Sequence, residues 1–84
     1  WYTRKNWMKQ RITKFKILAD NLIWLGRRTA YLGHYKNAID IYTKGIDQYP
    51  KDARFYRHRG HRYISIRCFN LAIKDFKKAA RLIR

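Results

Sequence analysis

The stretch LGHYKNAIDIYTKGIDQYP, residues 32–50, decides the fold. Gly33-His34 interrupts an apolar helical pattern that runs from about Asn21 to Leu32 and carries Leu22, Trp24 and Leu25. A glycine just past the last periodic residue is a helix stop, because it accepts the left-handed conformation that side chains resist. From Tyr35 to Tyr49 the residues Ala38, Ile39, Tyr42 and Ile46 recur at helical spacing, and Pro50 ends the pattern. Asp52 is then placed to accept from the free backbone N–H groups at the start of a further helix over Ala53–Ile66. The last helix is expected over Phe69–Ile83, with Ala72, Phe76, Ala79 and Ile83 on one face. Upstream, residues 4–16 read as a basic helix in which Met8, Ile12 and Phe15 share a side. Sustained strand alternation is missing throughout, so the expected class is all-α.

Composition bounds the function. The chain has 84 residues, with 21 Lys+Arg against 5 Asp+Glu and a formal net charge of +16. A hydrophobic fraction of 46% excludes a disordered polyelectrolyte. The charge predicts attraction to polyanions: acidic protein segments, nucleic acid or anionic lipid. A single cysteine, Cys68, excludes an intrachain disulfide framework. No apolar run approaches the length that spans a bilayer. Compartment is left open, with the cytoplasm as the default.

Shifting the chain by 34 residues aligns Gly26 with Gly60, Arg28 with Arg62, Ala38 with Ala72, Ile39 with Ile73 and Lys44 with Lys78. Tyr35 falls on Phe69, Tyr42 on Phe76 and Gly45 on Ala79. Small residues recur where helices must approach and rings recur where a gap must be filled. This pattern resembles the tetratricopeptide repeat family, whose unit is a 34-residue pair of helices. The first unit reads Leu22, Leu25, Gly26, Tyr35, Ala38, Tyr42, Gly45 and Pro50; the second reads Tyr56, Gly60, Tyr63, Phe69, Ala72, Phe76 and Ala79. Thr29 and Arg59 depart from the family pattern, standing where an aromatic and a leucine are usual. The expected organisation is a basic N-terminal helix or cap over 1–18, a first unit over 19–52 and a second over 53–84.

The resemblance implies a non-catalytic interaction module. In such proteins one face of each first helix lines a concave groove that holds a peptide or a partner helix. Here that face maps to Ile23, Arg27, Ala30 and Tyr31, then Arg54, Arg57, His61, Ile64 and Ser65. The candidate peptide-binding groove is therefore Ile23, Arg27, Tyr31, Arg54, Arg57 and His61. Guanidinium groups grip carboxylates through two parallel bonds, so an acidic peptide or protein is the expected partner. Solvated arginines on an ordinary helix face are the competing reading. The family's Lys–Asn–Arg clamp for chaperone tails is not carried over, because Asn21 lies off this face and a third unit is missing.

A second class of function rests on Arg4, Lys5, Lys9, Arg11, Lys14 and Lys16, which stand beside Trp1, Tyr2 and Trp7 without an acid among them. Cations contact phosphates while free aromatics stack on unpaired bases, so an accessory RNA- or DNA-binding element is the alternative. The run Arg54–Arg67 holds five arginines and no acid, but its aromatics Tyr56 and Tyr63, like Phe69 beyond it, occupy repeat-packing positions. His58 and His61 have arginine neighbours and no third ligand, so no metal site is expected. Cys68 has no His–carboxylate pair beside it in sequence, and neither a catalytic residue nor a cofactor is expected. With Arg84 as the last residue, part of the Phe69–Ile83 helix should stay uncovered near Ala72, Phe76 or Ala80, a surface for self-association or a partner unless the chain is cut from a longer array.

Overall fold

The computed structural model describes the backbone of residues 4–83 and the side chains of residues 17–83. Four helices follow one another: α1 (Arg4–Tyr31), α2 (Tyr35–Gln48), α3 (Ala53–Ser65) and α4 (Phe69–Leu82). Among the described residues there is no strand. The protein is all-α. α1 packs on α2, α2 on α3 and α3 on α4, so the helices form two successive antiparallel hairpins.

The expected break between a helix over 4–16 and one starting near Asn21 does not occur; α1 is continuous for 28 residues, about 42 Å of rise. The reason is local. No proline and no glycine stands before Gly26, and Ala19-Asp20-Asn21 offers no stop signal strong enough to end a helix flanked by good helix formers. The boundary at residue 18 therefore falls inside a helix.

The first turn is closed in the manner expected of Gly33. Its φ is +85°, the His34 N–H donates to Thr29 O at 3.1 Å, and the Gly33 N–H donates to Ala30 O at 2.9 Å. Thirty-four residues on, the same two bonds recur: Cys68 N–H to Tyr63 O at 2.8 Å and Arg67 N–H to Ile64 O at 3.0 Å. Arg67 holds the left-handed position there, with φ +63°. Between the hairpins, Pro50 has no N–H to continue α2, and Asp52 caps α3 by accepting from the Arg54 N–H at 3.1 Å.

Packing is set by glycine meeting ring. A methyl added at Gly26 would lie 2.5 Å from Tyr42 Cζ, and one added at Gly60 would lie 2.8 Å from Phe76 Cε1. These two contacts are equivalent under the 34-residue shift. A third joins the hairpins, where a methyl at Gly45 would sit 2.7 Å from Phe55 Cζ. Tyr42 and Phe55 are the largest fully buried side chains, and they lie in one cluster with Ala19, Ile23, Ala30 and Ala38. Burying a ring of this size contributes roughly 1.5–3 kcal/mol.

On α4, Ala72 and Ala79 are buried and Phe76 is half-buried. The uncovered face is thus centred not on Ala72 but on the neighbouring side of the helix, at Phe69, Ile73 and Ala80 of α4 and Ile83 just past its end.

A non-glycine residue in the left-handed region costs roughly 1–2 kcal/mol. Arg67→Gly should therefore raise stability by about 1 kcal/mol after the extra unfolded-state freedom of glycine is counted. A urea midpoint that stays put or falls would show that the α3–α4 turn is not held in this conformation.

Candidate functional site

Bonds to Asp52 and Asp20 take Arg54 out of the expected groove. Having capped α3, the Asp52 carboxylate accepts from Arg54 Nε at 3.0 Å and from Nη2 at 2.8 Å. Arg54 Nη1 reaches back to Asp20 Oδ1 on α1 at 2.5 Å. Hydrogen bonds from Arg54 hold the Asp52 carboxyl below the usual carboxylate range, and the two acids raise the pKa of the guanidinium. Arg54 is a strut between α1 and α3 rather than an open groove cation.

Ile23 also leaves the groove. It is 8% exposed and belongs to the core with Ala19, Ala30 and Phe55. The buried stripe of α1 is Ala19, Ile23, Gly26 and Ala30, while Leu25, expected to be packed, is 50% exposed. Ile23 and Ala30 of the expected groove face thus belong to the packed side of α1. Leu25 is open because of its place in the stack: its equivalent Arg59 lies between two helices, bonded to Thr43 of α2 and Asp75 of α4. Leu25 has no such second neighbour among the described residues.

The remaining expected residues divide. Arg27 and Tyr31 of α1 line a narrow cleft of about 100 Å³ together with Ala30, Tyr42, His58 and Arg62. Arg57 is exposed beside it, and its charge acts on His58. His61 is exposed on the neighbouring side of α3, edge-on to Phe76 with ring centres 5.2 Å apart. The cleft thus takes Arg62 and His58 from α3, where Arg57 and His61 were expected. Sequence reasoning passed over both, although Arg62 recurs as Arg28 at the repeat interval and His58 stands one turn before it.

His58 forms the floor, stacked on Tyr42 with ring centres 5.6 Å apart and planes 24° from parallel. Burial pushes its pKa down to about 4, and the cations Arg57 and Arg27 push the same way. It is neutral at physiological pH. Burial raises the pKa of Tyr42, opposed by Arg62 and Arg27, so that hydroxyl stays protonated as well. The arginines are therefore the charged groups of the cleft. Arg62 also lies over the Tyr35 ring, 5.7 Å from its centre, which fixes the direction of its guanidinium.

A separate ion pair is structural. Arg59 grips Asp75 through two bonds, Nε to Oδ2 at 2.8 Å and Nη2 to Oδ1 at 2.7 Å, with Tyr56 and Tyr63 flanking the guanidinium at 5.6 and 5.7 Å. Asp75 is 5% exposed, and Asp75 holds the Arg59 pKa above its ordinary value. Removing either partner would leave a buried charge uncompensated. Asp20, Asp52 and Asp75 are thus engaged by only two arginines, Arg54 and Arg59. Arg27, Arg28, Arg57 and Arg62 form no ion pair among the described residues.

The side chains of Arg4, Lys5, Lys9, Arg11, Lys14 and Lys16 lie outside the described residues; their backbone belongs to α1. His58 and His61 face different rings, and no group of three His, Cys, Asp or Glu side chains converges among the described residues. Cys68 is half-buried in the α3–α4 turn. No described helix is long and apolar enough to cross a membrane. No protein-family model matches the chain.

Because the folded pKa of His58 lies below its ordinary 6.5, only the unfolded chain takes up that proton between pH 6.5 and about 4. Stability should be fully present above pH 6.5 and decline through this window as the pH falls. Asp52, whose folded pKa is depressed, adds a further loss at lower pH as its cap is protonated. His58→Phe, which keeps a ring on Tyr42, should lessen the decline between pH 6.5 and 4 in urea titrations. An unchanged pH slope in that variant would remove His58 as its cause.

Proposed function

We propose that this chain is a non-catalytic, tetratricopeptide-like interaction module that takes an acidic segment of a partner protein across the α1–α3 cleft. One observation carries the reading: Arg27 from α1 and Arg62 from α3 meet at a cleft with aromatic walls and no carboxylate to neutralise them. Arg57 extends the same charge along α3. The two hairpins and the 34-residue recurrence of glycine–ring contacts support the family resemblance, and with it a superhelical stack whose first helices present the binding face. The net charge of +16 favours encounter with acidic partners and makes association faster at low salt. Carboxylates fit this cleft because each guanidinium offers a planar fork, and Tyr31, 81% exposed, supplies flat contact area for an apolar side chain beside them.

The expected outcome is saturable binding of a short Asp/Glu-rich peptide, measured by fluorescence anisotropy. Arg27→Ala and Arg62→Ala should each weaken it about tenfold or more, since a charge-assisted hydrogen bond contributes about 1.5–3 kcal/mol. Single-stranded RNA serves as the competing ligand. If RNA binds more tightly, is indifferent to those two changes and is lost on neutralising Lys5, Arg11 and Lys14, the chain is a nucleic-acid-binding element and the peptide reading fails.

A further inference from the structure

Under the 34-residue shift, the outward face of α4 corresponds to a face of α2 that is covered. Ile39 is 9% exposed and Tyr42 1%, whereas Ile73 is 51% exposed and Phe69, the equivalent of Tyr35, is 56% exposed. The element covering α2 is α3, and two of its side chains make the defining contacts. His58 stacks on Tyr42, and the Arg62 guanidinium lies over Tyr35. The residues 34 positions before His58 and Arg62 are Trp24 and Arg28, both on the outer face of α1. Trp24 is 68% exposed and Arg28 is exposed. Together with Arg27 and Tyr31 they line a surface hollow of about 340 Å³. The molecule therefore carries an uncovered acceptor face on α4 and, on α1, an uncovered face bearing the equivalents of the side chains that cover α2.

We propose that copies of this chain associate head to tail, the outer face of α1 of one copy covering the outer face of α4 of the next. The contact continues the α2–α3 packing from one molecule to another. Trp24 of the incoming copy stacks on Phe76 as His58 stacks on Tyr42, and its Arg28 lies over Phe69 as Arg62 lies over Tyr35. Ile73 sits between these two points, as Ile39 does in the covered hairpin. The two faces are different surfaces, so the contact is heterologous, and each added copy leaves one free acceptor and one free donor. Two copies at +16 repel one another, and screening that repulsion favours the stack, so association strengthens with salt. This assembly does not depend on the acidic-peptide reading, although Arg27 and Tyr31 border both surfaces.

The test is sedimentation velocity of the 84-residue chain over a wide concentration range at low and high salt. Average mass should rise with concentration without stopping at a dimer, and rise further at high salt. Trp24→Lys and Ile73→Lys, both at exposed positions, should each weaken association at least about tenfold, as loss of a central interface side chain does. An equimolar mixture of the two variants should recover association as a dimer that grows no further, since one intact α1 face then meets one intact α4 face. Helical circular dichroism checks both variants, with Phe69→Lys replacing Ile73→Lys should the latter unfold. A chain that stays monomeric at high salt overturns the proposal. So does a Trp24→Lys variant that associates like the parent, which would indicate pairing of α4 with α4, and so does a mixture that fails to recover.

Discussion

Everything in this molecule depends on how closely two helices can lie when one of them offers a bare backbone. Gly26 admits the face of Tyr42, and Gly60 admits Phe76. A side chain at either glycine would occupy space already filled by a ring, and an overpacked contact of this kind costs typically about 1–3 kcal/mol. The rings are not decoration on a helical frame. They fix the separation within each hairpin, while Phe55 against Gly45 fixes it between hairpins. Once those distances are set, the side chains of α1 and α3 that share a side of the stack are set with them.

Charge is the second constraint, and it acts through scarcity. A chain with 21 basic residues and 5 acids cannot neutralise its own surface, so where each acid goes decides which cations remain available. Asp75 is drawn inside to meet Arg59, and Asp20 and Asp52 hold Arg54 across α1 and α3. Both pairs join helices and serve the fold. Arg27 and Arg62 meet at the cleft outside that arrangement, over a His58 that burial keeps neutral. The proposed acidic partner supplies the carboxylates that the chain itself lacks.

Helix ends were legible from residues whose backbone chemistry is distinctive. Gly33, Pro50 and Asp52 marked the boundaries of α1, α2 and α3 to within a residue or so. The start of α1 was not legible, since nothing in Ala19-Asp20-Asn21 says whether a helix begins there or merely passes through. The site suffered from phase. An error of one residue on a helical wheel turns it by about 100°, enough to exchange Ile23 for the core and His58 for the cleft. The Arg59–Asp75 pair was hidden because its partners stand 16 residues apart on different helices. Yet Asp75 lies between Ala72 and Ala79 on the apolar stripe of α4, and an acid in that position needs a buried cation.

The nesting of glycine against ring is most directly measured by proton NMR. The α-protons of Gly26 and Gly60 should be displaced well upfield by ring current and show nuclear Overhauser contacts to the ring protons of Tyr42 and Phe76, respectively. Glycine α-protons at ordinary helical shifts, without those cross-peaks, would contradict the packing from which the hairpins, the cleft and the uncovered end faces all follow.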